Sequence, residues 1–483
     1  MKKNLSNLQP MDLKKNLIPD RVKNIHFTAI CGTGMAALAG MLKDMGFEVT
    51  GSDQKTYPPM SDFLFSKGIK VAEGFNEKNI FSAHDLIVVG NAVKKDNPEI
   101  NKMNKLGLNF CSMPQAVNRF VADGKKTILV TGTHGKTTIS SIMAWILYVA
   151  GLDPSFIIGG ILRNFNSNYR LGKGEFIVIE GDEYDTAYFD KGPKFLHYDP
   201  HMAVITSVEF DHADIFKDID QVKKAFDIFI SGISQKSTLV AFDRDKNIDG
   251  LIRGRKCCVI KYGKNTSSAW GLGKVSYAPP WTFFEVLKQG KTFKTFKTGI
   301  FGEHNLLNTL AAVAVADKLM IPNEVIAKAL ESFQGVKRRQ EIRGQKRGIT
   351  VMDDFAHHPT AVKETVRAVK SFYQNKRLIA VFEPRTNTSM RNIFQNIYPL
   401  SFDHADIICI RKPSLLNKIP PDEHFSSEKL VKDLQNRGKD AHYFPDTESI
   451  IKYLENTAKP GDLVLVMSNG GFDNIHHDLL KRL

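Results

Sequence analysis

Cysteine is scarce in this chain: five in 483 residues, at Cys31, Cys111, Cys257, Cys258 and Cys409, with no C-x-x-C pair and no metal-ligand spacing. That excludes a disulfide framework and a structural zinc module, and a reducing compartment with buried free thiols is expected. Long apolar runs are also missing. No stretch reaches the roughly 18 residues that a bilayer span needs, so no membrane insertion is expected. The first 20 residues, MKKNLSNLQPMDLKKNLIPD, carry lysines but lack the apolar core and small-residue cleavage site of a secretory signal. Residues 1–22 are read as a loose basic lead-in and the location as cytoplasmic. Repeats and low-complexity tracts are absent. The net charge of +14 favours phosphate-bearing ligands of any kind. No basic face studded with aromatics calls for nucleic acid, so none is expected as a partner.

What is present points to an α/β protein. At about 150 residues per domain, 483 residues imply about three units. Apolar runs of strand length recur between helical stretches: NIHFTAI, DLIVVG, KTILVTG, EFIVIE, MAVITS, GITVMDD, RLIAVFE, ADIICI and DLVLVMS. This alternation predicts parallel sheets covered by helices. Nearly every run ends in Gly, Thr, Asp, Glu, His or Asn, and open α/β sheets bind ligands beyond the carboxyl ends of their strands. A first boundary is placed near residue 121. The basic stretch VKRRQEIRGQKRG (336–348) marks a second. Residues 236–300, with the pattern WTFFEVLKQGKTFKTFKTG, alternate as antiparallel strands appended to the middle unit would.

Several strand ends carry chemistry. ICGTGMAALAG supplies Gly32-x-Gly34-x-x-Ala37, with Asp53 about 20 residues on, the spacing of a dinucleotide fingerprint. NAD and a UDP-sugar are equally compatible with it, and so is a structural glycine turn. The segment KTILVTGTHGKTTISSIMAWIL places Gly132, Gly135, Lys136, Thr137 and Thr138 between a strand and a helix. There, backbone N–H groups form an anion nest, Lys136 reaches terminal phosphates and Thr137 offers a hydroxyl to magnesium. Val130 replaces the first glycine of the general phosphate-loop pattern. In EFIVIEGDEYD, Glu180 ends a buried strand and is the first choice for a magnesium ligand, while Asp182, Glu183 and Asp185 are read as solvated or capping residues. Glu209, Asp211 and His212 follow the next strand. His304, Asn305 and Asn308 open an apolar helix, where Asn serves either as a cap or as a reader of an adenine edge. Further on lie Asp353, Asp354, His357 and His358, whose adjacent histidines are expected to diverge rather than share a metal. Arg385 suits a carboxylate clamp, with Asn387 and Thr388 beside it.

Taken together, these segments resemble the Mur ligase family from about residue 24 to the end: Gly-Thr-His-Gly-Lys-Thr-Thr, Glu180, the Asp211-His212 pair, Gly-x-His-Asn-x-x-Asn at 302–308 and Asp353-Asp354 occur in the family's order. The resemblance implies an α/β, three-domain architecture. A Rossmann-like UDP-sugar domain (1–120) precedes a central P-loop ATPase domain (121–335) and a Rossmann-like domain for the amine substrate (336–483). It implies ATP and magnesium as cofactors. By the same resemblance Gly132, Thr133, Gly135, Lys136, Thr137, Thr138, Asn305, Arg339 and Asp354 bind ATP, and Thr137, Glu180 and His212 hold metal. Lys136, Glu180 and His212 carry catalysis. Gly32, Thr33, Gly34, Met35, Asp53, Asn91 and His134 bind the UDP-sugar, and His358, Arg385, Asn387 and Thr388 bind the peptide.

Within the family, the stretches TYPPMS, GNAVKKDNPEI, HYDPHMAV, DDFAHHPTAV, FEPRTNTS and VMSNGGFDNIH resemble the recycling branch, which joins UDP-N-acetylmuramate to L-alanyl-γ-D-glutamyl-meso-diaminopimelate. The expected partners are those small molecules and ATP. The nearest rival is addition of L-alanine to the same sugar nucleotide. More remote are an NAD-linked oxidoreductase, which leaves the phosphate loop unexplained, and a nucleic-acid-stimulated NTPase. One departure stands out: several members carry a carbamylated lysine about 15 residues after the metal histidine, where this chain has Asp227.

Overall fold

The structure, a computed structural model, describes residues 12–483 apart from 57, 59, 266 and 267. Residues 1–11 of the lead-in, and Tyr57 and Pro59 of TYPPMS, lie outside the described residues. From Asp12 onward the lead-in is not loose, because the Asn16 amide donates to Phe110 O (3.2 Å) and exchanges hydrogen bonds with the Gln115 amide.

Besides a two-stranded hairpin of Asp185–Ala187 and Asp190–Pro193, three sheets follow one another along the chain. In the first, strands Lys70–Glu73, Glu48–Asp53, Asn24–Thr28, Leu86–Val89 and Phe110–Ser112 lie side by side in that order, all parallel. Strand order reverses beside Asn24–Thr28, which makes its carboxyl end a topological switch point and a natural binding crevice. Helix Thr33–Asp44 starts there, burying Met35, Leu38, Met41 and Leu42.

The middle sheet has ten strands. At its centre Lys126–Thr131 pairs in parallel with Met202–Ile205 on one side and Phe176–Glu180 on the other. Three strand ends thus emerge side by side, carrying the glycine-rich loop, Glu180 and the segment leading to His212. Helix Lys136–Val149 packs between this sheet and helices Glu303–Lys318 and Asn323–Ser332. Ile139, Ile142, Met143, Ile146 and Leu147 are fully or almost fully buried on it, each stabilising the fold by roughly 1.5–3 kcal/mol. The antiparallel expectation holds for Trp270–Ala278, Trp281–Lys288 and Lys291–Thr298. It fails for the start of 236–300. Thr238–Phe242 and Cys258–Gly263 are parallel strands joined by helix Lys246–Ile252, because the crossover helix feeds the chain back in the same direction.

The third sheet runs Glu341–Lys346, Ile349–Asp354, Leu463–Met467, Leu378–Phe382, Ile407–Arg411 and Ala441–Phe444, parallel except for its first, edge strand. Every apolar run singled out in the sequence is a parallel strand of one of these sheets. Four cysteines are buried thiols as expected, but Cys258 is exposed. No helix among the described residues is long and apolar enough to cross a membrane.

Candidate active site

The loop between Lys126–Thr131 and Lys136–Val149 cannot be built from ordinary residues. Gly132 (φ +114°) and Gly135 (φ +81°) hold left-handed conformations, and a Cβ on either would collide with Thr206 or Asn308. Lys136 folds back over the loop, donating to Gly132 O (2.6 Å) and Thr133 O (3.3 Å) and approaching Glu183 Oε2 at 3.4 Å. Burial works against its charge, but the carboxylates of Glu183, Asp182 and Glu180 outweigh burial and raise its pKa. Thr137 Oγ1 donates to Glu180 Oε1 at 2.9 Å, and Glu180 Oε2 accepts from Gly159 N at 2.7 Å. Thr138 lines the same cleft.

Glu183 is neither solvated nor a cap, contrary to the sequence reading, and Asp182 is ion-paired rather than free. Glu183 is 2% exposed and lies between Lys136 and His212, whose Nε2 is 3.5 Å away. Asp182 and Asp185 are each partly exposed and ion-paired, Asp182 with Lys194 at 2.6 Å and Asp185 with Lys191 at 3.0 Å. Burial opposes ionisation of Glu183, yet Lys136 and His212 hold its carboxyl below the ordinary range. Burial likewise opposes protonation of His212, but Glu183 and Asp211 raise its pKa. His212 occupies a left-handed turn (φ +56°). It reaches the phosphate loop through Glu183, which also approaches Lys136.

The third domain closes a cleft of about 510 Å³ over this loop. Arg339 Nη2 lies 3.5 Å from Thr137 Oγ1. Burial lowers the pKa of Arg339, against the pull of Asp354 and Glu180. Asp354 accepts from Gln340 N and Ala356 N, both at 2.8 Å, and burial raises its pKa. The Asn305 amide caps nothing; it donates to Phe301 O and Gln340 Oε1, both at 3.0 Å, on the cleft wall.

The two adjacent histidines diverge as expected. His357 donates through Nδ1 to Phe355 O and turns Nε2 toward Asp211 (3.8 Å). His358 turns Nδ1 toward Glu209 (3.8 Å), with Nε2 against Phe210 O (3.2 Å). Asp353 faces away, toward His476 and the guanidinium groups of Arg338 and Arg343. Thr388 Oγ1 accepts from Ala213 N (3.1 Å) and Asn387 donates to Asp214 (3.2 Å), so both sit on the seam between the middle and third domains. Arg385 remains partly exposed, packed on Gly470, with Glu383 Oε1 3.4 Å from its Nη1. Asp227, in the place of the family's lysine, is exposed and pairs with Arg255.

At the first domain's glycine turn, Gly32 caps helix Thr33–Asp44 and Cys31 N donates to Asp53 Oδ2 at 2.8 Å. Thr33 O accepts from Asn168 of the middle domain, Met35 is buried beneath the turn, and Asn91 is exposed beyond strand Leu86–Val89. His134 stands apart from this group, on the phosphate loop, with Nε2 3.6 Å from Glu209 Oε2.

A doubly wound first domain, a phosphate-loop middle domain and a third domain reaching over the loop are matched in order by three family models. These are the Mur ligase family catalytic domain (residues 24–125), the Mur ligase middle domain (130–316) and the Mur ligase glutamate ligase domain (338–470). The chain belongs to the Mur ligase family, and is an ATP-dependent ligase that forms a C–N bond. It is 37% identical over 461 residues, 95% of this chain and 98% of the relative, to the UDP-N-acetylmuramate–L-alanyl-γ-D-glutamyl-meso-2,6-diaminoheptandioate ligase of Escherichia coli K12. It is 34% identical over 467 residues, 96% of this chain and 97% of the relative, to the UDP-N-acetylmuramate–L-alanine ligase of Acetivibrio thermocellus. The crystal structure of a murein peptide ligase from Psychrobacter arcticus superposes with a TM-score of 0.71 at 32% identity, covering 95% of this chain and 98% of that one.

Proposed function

We propose that this ligase joins the lactyl carboxylate of UDP-N-acetylmuramate to the free amine of L-alanyl-γ-D-glutamyl-meso-diaminopimelate, acting in the cytoplasm in peptidoglycan recycling. The observation that carries this reading is the 37% identity to the E. coli ligase of that substrate pair, which extends through the third domain.

The residues present suit the chemistry. A carboxylate oxygen of the sugar nucleotide attacks the γ-phosphorus of ATP, the bond to the β,γ-bridging oxygen breaks, and ADP leaves an acyl phosphate. Lys136, held over the loop, offsets charge on the transferring group. The peptide amine then attacks the acyl carbon. Phosphate departs and the nitrogen loses a proton. Thr137 and Glu180 present oxygens 2.9 Å apart, the hard donors that suit magnesium, and His212 lies one residue pair away. When bound there with ATP, magnesium would neutralise phosphate charge. Gly32, Thr33, Gly34, Met35, Asp53 and Asn91 form the crevice for the UDP moiety, with His134 at the reacting end. Asn305, Arg339 and Asp354 would meet the nucleotide from the cleft wall. On the amine side, His358, Asn387 and Thr388 would shape the junction and Arg385 would take a distal peptide carboxylate.

Addition of L-alanine is the second reading, favoured by the 34% identity to alanine ligases over 96% of the chain. Phosphate release with ATP, magnesium and UDP-N-acetylmuramate, offered the tripeptide or L-alanine and followed by product mass spectrometry, separates the two. Turnover with L-alanine alone would move the enzyme to the other branch, and turnover with neither would sink both assignments.

A further inference from the structure

Beside the phosphate loop, three donors converge to which the ligation chemistry assigns no metal. One donor atom each from His134, Glu209 and His358 lies within 4.8 Å of the others. His134 leaves the phosphate loop, Glu209 follows strand Met202–Ile205, and His358 caps helix Pro359–Phe372 of the third domain. Two imidazoles and one carboxylate are the donor set of a three-ligand transition-metal centre with an open fourth position.

From this convergence we propose a zinc-class divalent cation site at His134, Glu209 and His358, joining the middle and third domains and distinct from the hard-cation position at Thr137 and Glu180. The site is empty here. Its edges to Glu209 Oε2 are 3.6 Å from His134 Nε2 and 3.8 Å from His358 Nδ1. A tetrahedral centre with bonds of about 2.1 Å has edges of about 3.4 Å, so these two close by a few tenths of an ångström on binding. His134 Nε2 is buried without a hydrogen-bond partner, although buried polar atoms almost always have one.

Outer partners support the same assignment. Thr360 Oγ1 donates to Glu209 Oε2 at 2.6 Å and fixes the carboxylate. Phe210 O faces His358 Nε2 at 3.2 Å and selects the tautomer that carries its proton there, which makes Nδ1 the donor atom. The Thr360 amide, 3.3 Å from Nδ1, is the contact the metal displaces. One ligand is also in its binding form. Burial and the neighbouring His134 push His358 down to about 4, leaving it neutral.

The test is equilibrium dialysis of the full chain against zinc at neutral pH with magnesium in large excess, read by elemental analysis, together with the visible spectrum of a cobalt-loaded sample. The wild type is expected to retain one zinc per chain and to give the intense d–d bands of four-coordinate cobalt. Zinc affinity should fall at least ~100-fold in His358→Ala and ~10-fold in Thr360→Val, in which all three ligands remain, while Glu180→Gln keeps the zinc. Circular dichroism confirms that each variant is folded. Three outcomes overturn the site: no retained zinc in the wild type, zinc that persists in folded His358→Ala, or zinc lost in Glu180→Gln but not in Thr360→Val.

Discussion

Alanine at position 135 would separate two constraints on the phosphate loop. Gly135 sits at φ +81°, and a Cβ there would lie 2.4 Å from Asn308 Oδ1 and 3.0 Å from its Cγ. The left-handed conformation costs an L-residue about 1–2 kcal/mol. The overlap is with a side-chain end, and relieving it costs about 1–3 kcal/mol, as for other overpacked sites. Both penalties fall on the loop conformation that receives phosphate, and apparent affinity falls with the population of that conformation. Gly135→Ala should therefore weaken ATP binding by about 2–5 kcal/mol, which is roughly 30-fold to several thousand-fold in Kd. Adding Asn308→Gly removes the overlap but not the backbone strain. The double variant should then bind ATP only about 5- to 30-fold more weakly than Asn308→Gly alone. Position 132 provides the contrast, because a Cβ there meets not only Thr206 Oγ1 (2.2 Å) but the backbone nitrogens of Thr206 (2.8 Å) and Ser207 (2.9 Å). Trimming Thr206 should leave Gly132→Ala unrescued. Calorimetric titration of ATP into the four single and two double variants decides the matter. Unchanged affinity in Gly135→Ala, or equal rescue at both positions, would refute the reasoning.

Lys136→Met should lower kcat about 10²- to 10³-fold in the phosphate-release assay, with the fold intact by circular dichroism. The Glu183–His212 pair should shape stability against pH. The raised His212 pKa contributes stability that is complete below its unfolded value near 6.5 and is lost as pH rises through the folded value. The lowered Glu183 pKa contributes stability present above about 4.3 and lost as pH falls through its folded value. Scanning calorimetry should thus show maximal stability between these limits, and Glu183→Gln should bring the alkaline decline to lower pH. An unchanged profile would mean that the pair is not coupled. Arg385→Ala should raise KM for the tripeptide about 10-fold or more, the worth of a charge-assisted hydrogen-bond pair, and leave the ATP dissociation constant unchanged. An equal loss for both ligands would place Arg385 in general scaffolding.

The strands were legible because each is a short apolar run bounded by turn residues, a signal carried by neighbours in sequence. The phosphate loop was legible for the same reason: its glycines, lysine and threonines are contiguous. Asp182 and Glu183 were misread because their partners, Lys194, Lys136 and His212, reach them only after folding. In sequence they look like any exposed acidic run. The parallel placement of Thr238–Phe242 and Cys258–Gly263 was missed because short helix Lys246–Ile252 carries a weak periodic signal beside the strong alternation of residues 281–298. The meeting of His134, Glu209 and His358 had no local signal at all, since residues from two domains compose it.

Segment 209–214 is where these parts meet. On one side Asp211 and His212 engage the charges around Lys136 through Glu183. On the other, the third domain holds the same segment: Thr360 at Glu209, His358 at Phe210 O, His357 at Asp211 and Thr388 at Ala213 N. A Lys136 charge redirected from Glu183 to a nucleotide phosphate changes the field on His212, two residues from backbone that the third domain grips. Charge at the phosphate loop and docking of the third domain therefore act on one short stretch of chain. A substitution in 209–214 is therefore felt at both the phosphate loop and the third domain.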